Sequence, residues 1–242
     1  TSMLIAIAIF YHLLWGPPNS PAKHITLAVA DFDNLTGEKA LDGLSDFLIT
    51  SLDQSIKINV ITRDRMFDIL KQMGKEPSSR LDQTLAREIC RYASVNILIT
   101  ASVIKLGKLY AIDLKVKDLS KEQYLYADKA QGEGQESVLD MIDALSLHTR
   151  KNLKEEKFEI DSQNEQVADI STSNLEAHRH YYSAVQLHIA RSYIEALAEL
   201  DQAIALDSTF ALAYFRKMLM AERLMWSDAK RKTILNKSLL FI

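Results

Sequence analysis

From Tyr110 to Lys117 the chain alternates strictly, with Tyr110, Ile112, Leu114 and Val116 set against Ala111, Asp113, Lys115 and Lys117. Successive side chains of a strand point to opposite faces. This run therefore requires a strand with one face buried and one wet, as antiparallel sheets provide. Leu106-Gly107-Lys108 supplies a hairpin turn back to the apolar, β-branched run Val95–Val103, and residues 122–131 extend the meander by a third strand. Upstream, Ile25–Ala30 and Ile58–Ile61 read as two further buried strands. Leu41, Leu44, Leu48 and Leu52 predict a helix over 40–55 between them. Phe67, Leu70 and Met73 predict a short helix over 64–73, stopped by Gly74 and Pro77, and Leu81, Leu85 and Ile89 another that ends at Ala93. Val138, Met141, Ile142 and Leu145 define a closing helix over 136–154. The expected order is β-α-β-α-α-β-β-β-α, an α/β domain with a mixed sheet over residues 24–154.

Residues 155–173 are polar and lack a sustained period, which predicts a linker. From Leu175 to Ile242 there is neither Gly nor Pro, which predicts a C-terminal all-α domain over 174–242. At the other end, Met3–Trp15 is apolar apart from His12. As a helix rising ~1.5 Å per residue it covers ~20 Å, short of a ~30 Å bilayer core. Residues 1–16 are therefore expected to be the exit half of a transmembrane helix, with 17–23 as a linker. A signal-peptide core and a buried element of the globular fold are the other readings. Tyr11 and Trp15 suit the membrane–water interface. Lys23 is the only basic residue between Gly16 and Gly37, which favours an inner-membrane anchor with the globular part extracytoplasmic, in the periplasm. A cytoplasmic placement is the alternative.

Composition narrows the chemistry. A net charge of −3 gives no electrostatic footprint for nucleic acid. The single cysteine, Cys90, excludes an internal disulfide and a Cys-rich zinc site, leaves no lipid-bearing cysteine near the N-terminus, and reads as a small buried hydrophobe. Asp31-Phe32-Asp33-Asn34 fails as a calcium loop, because Leu35 fills the fifth position and Gly37 the seventh, so it reads as a strand-ending turn. His178 and His180 are two apart and point to different faces of a helix, and His188 lies too far along to pair with either. Gly132-Glu133-Gly134 lacks the third glycine of a phosphate loop, and Glu136 beyond it repels phosphate. Lys230-Arg231-Lys232 reads as a solvated face. No nucleophile or acid–base set stands out, so no catalytic residue, cofactor or metal is expected. Met218, Met220 and Met225, with Leu219, Leu224 and Trp226, make a sticky helical surface that serves either as repeat core or as a partner groove. Leu235, Leu239, Leu240 and Phe241 give the last helix an apolar end with nothing after it to cover it. The candidate partner-binding residues are Met218, Met225, Trp226, Leu239 and Phe241, for a protein or peptide partner.

Two resemblances add to this reading. Ile25–Phe32 followed by Asn34-Leu35-Thr36-Gly37, the helix opening Asp42-Gly43-Leu44, the strand end Val60-Ile61-Thr62-Arg63, and Arg87-Glu88-Ile89 leading into Val95–Val103 occur in the order found in the TolB-like N-terminal domain family, related to the CsgG and FlgO domains. Ala101 stands where that family usually has glycine. Ala184, Tyr193, Ala196, Leu200, Ala203 and the end Ala205-Leu206-Asp207-Ser208 resemble a tetratricopeptide repeat over 177–210, with a degenerate second unit over 211–242. Such an arrangement after a membrane segment resembles the C-terminal halves of bacterial membrane-bound signalling proteins, whose kinase, cyclase or DNA-binding output lies upstream. The resemblance implies a non-enzymatic sensory or scaffolding module. An envelope assembly factor of the CsgG/FlgO type is the alternative, and the oligomeric state stays open.

Overall fold

The computed structural model describes residues 24–75, 80–162 and 164–241. The expected membrane segment over 1–16, the linker over 17–23 and Pro77 lie outside the described residues. Among the described residues no helix is long and apolar enough to cross a membrane.

The fold begins with β1 (Ile25–Val29), whose Leu27, Ala28 and Val29 are all buried. Since neighbouring side chains point opposite ways, β1 is covered on both faces. The two-residue strand β2 (Asp33–Asn34) follows, an element absent from the expected order. Next come α1 (Leu44–Asp53), β3 (Ile58–Val60), α2 (Arg63–Gln72) and α3 (Gln83–Tyr92). The meander is β4 (Ile97–Leu106), β5 (Leu109–Asp118) and β6 (Gln123–Glu133), closed by α4 (Val138–Asn152). The sheet runs β3-β1-β4-β5-β6, with β2 beside β4. β1 pairs in parallel with β3 and β4, and β4–β5 and β5–β6 are antiparallel. The expected mixed α/β architecture is therefore present. Tyr110, Ile112, Leu114 and Val116 are buried, while Lys115 is exposed. Gly107 turns the β4–β5 hairpin at φ +63°, in the left-handed region that favours glycine.

Residues 155–173 are more than a linker. They form the short helices α5 (Lys157–Ser162) and α6 (Val167–Ile170), and Ile160 and Val167 are buried. Glu155 and Arg150 make a fully buried ion pair with two contacts of 2.8 and 2.9 Å, supported by Ser55 at 2.6 Å. Burial pushes the Glu155 carboxyl up, but the bonds from Arg150 and Ser55 outweigh it and hold it below its ordinary value. The Val167 amide donates to Asp143 of α4. One apolar anchor per short helix, with buried polar bonds between, leaves no period to read in the sequence.

The chain then forms two helical hairpins, α7 (Leu175–Ile189) with α8 (Tyr193–Leu206), and α9 (Ala211–Arg223) with α10 (Asp228–Ser238). Their core is separate from that of the sheet and uses Ala177, Ala184, Ala196, Ala203 and Ala213, all fully buried, around Leu200 and Phe210. Alanine at these crossings lets the helix backbones approach closely, and the two large side chains fill the space left between them.

Candidate protein-binding site

Two sites lie where the hairpins meet the sheet domain. The first is a buried polar dock. Arg63, the first residue of α2, has its Nε 2.8 Å from Asp46 and its Nη2 2.9 Å from the Ser45 hydroxyl, and it also pairs with Asp31 at the end of β1. Asp31 further accepts from the Leu81 amide at 2.7 Å and the Tyr182 hydroxyl at 3.4 Å. The Tyr182 ring lies under the Arg63 guanidinium, 4.9 Å from ring centroid to the cation. Burial raises the Asp46 carboxyl, whereas for Arg63 the two carboxylates overcome burial and hold the cation firmly protonated.

The turn Asp42-Gly43 lets α7 approach. Gly43 sits at φ +83°, and a Cβ there would lie 2.6 Å from the Tyr182 ring. One turn earlier in α7, His178 stacks on Phe47 of α1, with centroids 3.8 Å apart. Burial, aided by the Arg63 charge, pushes this imidazole down to about 3, so it is neutral at physiological pH. Arg63 Nη1 and His178 Nδ1 have no hydrogen-bond partner among the described residues, and both residues line a cavity of about 240 Å³. That cavity is polar and roomy enough for ordered water.

The second site is an open groove of about 630 Å³ between α6, the start of α9 and the end of α10. Leu212, Phe215 and Phe241 form its apolar wall and are 36%, 43% and 41% exposed. Ala168 and Ile170 line it as well, and Glu165, Asp169 and Asp207 make its lining acidic. The Asp207 carboxylate accepts from Thr172 and Thr209, whose hydroxyl bonds outweigh burial and hold it below its ordinary value. The charge at Asp207 is thus secured. Phe241 also stacks against Tyr214, with centroids 6.0 Å apart.

The candidate residues read from the sequence are not gathered in one place. Met218 is half-buried on α9. Met225 and Trp226 occupy the turn before α10, Met225 almost fully exposed at φ 55° and Trp226 packed on the hairpin core beneath Lys230. Leu239 and Phe241 lie beyond the other end of α10, whose 11 residues separate the two groups by ~16 Å. Leu239 is exposed, and of the five only Phe241 enters the groove. Leu212 and Phe215 were missed. Their signal was weak, two apolar residues on a helix whose other face is also apolar.

Four other motifs singled out in the sequence have defined surroundings. Asn34 ties the strand-ending turn, donating to the Glu38 carbonyl and Asp42 at 2.8 Å and accepting from Thr36. His180 meets Glu199 at 2.6 Å while His178 faces Phe47, so the two histidines diverge. Cys90 is buried and its thiol is pushed up to about 12 by burial, which leaves it unreactive. Arg231 pairs with Asp228 and Glu222.

No family model matches the chain, and no curated protein matches it. Solved structures do. The LpoB C-terminal domain from Salmonella enterica is 14% identical with a TM-score of 0.41, over 48% of this chain and 87% of that one. TolB from Acinetobacter baumannii is 11% identical with a TM-score of 0.38, over 57% of this chain and 30% of that one. Lipoprotein GNA1162 from Neisseria meningitidis is 13% identical with a TM-score of 0.39, over 54% of this chain and 99% of that one. A TolB structure thus stands among the matches, but likenesses at these TM-scores carry no argument about activity. The tetratricopeptide and CsgG/FlgO resemblances rest on the quoted residues alone.

Proposed function

We propose that this chain is a non-catalytic protein-binding module in which the sheet domain carries the two hairpins as a rigid arm, and the groove beside α9 and α10 takes an apolar segment of a partner protein flanked by basic residues. The observation that carries this reading is the wall of Leu212, Phe215 and Phe241, left substantially exposed around about 630 Å³ and lined as well by Glu165, Asp169 and Asp207. Exposed large apolar side chains clustered in a concavity mark interaction sites. The acidic lining selects basic flanks. The same proposal reads the hairpins as a short tetratricopeptide-like array and places the module on the extracytoplasmic side of a bacterial membrane, held by Met3–Trp15. That placement rests on the apolar run and the scarcity of basic residues after it.

The test is a displayed peptide library panned against the full chain and against its Phe215→Asp variant. Enriched peptides should share two apolar anchors with Lys or Arg beside them and should bind the variant at least tenfold more weakly. An acidic consensus, or equal binding to both proteins, would overturn the assignment of this groove.

A further inference from the structure

We infer that a second cleft, between α2 and the α7–α8 turn, binds an acidic segment of a partner protein. The chain as a whole is acidic, at −3. Yet five cations, Lys71, Lys75, Arg191, Arg216 and Arg223, line this one cleft of about 1120 Å³, against two acids, Asp64 and Asp68. The acids are already engaged, Asp64 by Arg216 at 3.1 Å and Asp68 by Lys71 at 3.4 Å. Lys75 reaches across to Glu88. Arg191 and Arg223 are exposed and have no acid within ion-pair distance among the described residues. Arg191 is fixed in place by the left-handed turn between the helices, at φ 61°, with its amide bonded to the His188 carbonyl at 3.0 Å. Positive potential is already felt by a neighbour: burial, then Arg216, Arg223 and Lys71, push the His188 imidazole down against the opposing pull of Asp64. This cleft therefore does not gain its charge from histidine.

Shape and lining decide the class of occupant. The volume exceeds that of pockets for small metabolites, about 300–1,000 Å³. Ile189 and Leu219 give the cleft apolar patches on which a peptide's side chains can rest between its carboxylates. Single-stranded nucleic acid needs aromatic platforms for stacking, and of the cleft's Phe67 and Tyr193 the first is buried and the second is already packed against His188 at 5.7 Å. A lipid headgroup surface is flat and cannot follow a concavity. An Asp/Glu-rich peptide matches the charge, the depth and the apolar patches together. This inference uses a different surface from the groove above and does not depend on it.

The experiment is fluorescence anisotropy of the full chain with three labelled eight-residue peptides: one alternating Glu with Leu or Ala, its Lys counterpart, and a phosphoserine peptide otherwise uncharged. The Glu peptide is expected to bind, with affinity falling as salt rises through the range where the screening length shortens from ~10 to ~3 Å. Arg191→Glu and Arg223→Glu, both at exposed positions, should each weaken it at least tenfold. Lys232→Glu makes the same charge change on an exposed face elsewhere and should leave it within twofold. Equal weakening by Lys232→Glu would show a net-charge effect, and equal binding of the Lys peptide would show no selectivity. Binding of the phosphoserine peptide alone would make this a phosphate site. Any of these three results overturns the inference.

Discussion

The two helical hairpins are built from similar material and used differently. The first buries Ala177, Tyr181, Ala184 and Val185 on α7 and Ala196, Leu197, Leu200 and Ala203 on α8, and it is keyed to the sheet domain through His178 and Tyr182. In the second, α10 buries only Ser238, whose hydroxyl donates to the Ala211 carbonyl at 3.0 Å, and its end leaves Leu239 and Leu240 in solvent. A helix that must be held is covered on several sides. A helix that presents a surface is covered on one. The difference between α7 and α10 therefore separates residues that hold the molecule together from residues available to a partner.

The sharpest way to break this contrast is Arg63→Met. Removing the cation strands Asp31 and Asp46 beside each other in a buried site and should cost about 3–5 kcal/mol, read as a loss of denaturation midpoint. A loss below ~1 kcal/mol would mean that the dock does not hold the first hairpin. Gly43→Ala comes next. A side chain at φ +83° costs about 1–3 kcal/mol, and the clash with Tyr182 adds to that. Combining it with Tyr182→Ala should relieve the clash while leaving the backbone cost, a non-additivity that a double-mutant cycle measures directly.

A smaller effect comes from pH. His178 has an ordinary value of 6.5 and is pushed down to about 3 in the fold. As pH falls through 6.5 the unfolded chain takes up a proton that the folded chain refuses, so stability drops, by about 2 kcal/mol at pH 5. His178→Phe keeps the stack on Phe47 and should flatten this part of the pH–stability curve. An unchanged slope between pH 7 and 5 would refute the buried neutral imidazole. The smallest effect belongs to the second hairpin. Leu240→Ser, on an exposed side chain, should change stability by no more than ~0.5 kcal/mol in thermal unfolding.

What could be read from the sequence follows from how each feature encodes itself. β5 carries its buried face in its own period, so Ile112, Leu114 and Val116 were assignable to the core without any partner being known. Of Ala111, Asp113, Lys115 and Lys117, expected on the wet face, Ala111 is buried as well and only Lys115 is exposed. β1 reads equally well because a short apolar run can be satisfied only by cover on both sides. The dock had no such signature. Asp31, Asp46, Arg63 and Tyr182 come from four segments of the chain, and their meaning lies in being brought together. Arg63 was visible only as an arginine at a strand end, and Gly43 only as the middle of the helix opening Asp42-Gly43-Leu44. The candidate surface failed for the opposite reason: Met225, Trp226, Leu239 and Phe241 are close in sequence, but an intervening helix holds the two pairs at its opposite ends.

The Tyr182 ring seated against Gly43 also bears on how the molecule melts. The contact joins a turn of the sheet domain to a helix nearly 140 positions later, and it shares Asp31 with the Arg63 pair, so neither side of the seam is complete without the other. A seam of this kind ties two hydrophobic cores into one thermodynamic unit. Heating should therefore unfold sheet and hairpins in a single calorimetric transition, with matching van't Hoff and calorimetric enthalpies. The boundary that matters for stability is the buried seam, where chain distance is longest, and not the polar stretch that links the two cores along the sequence.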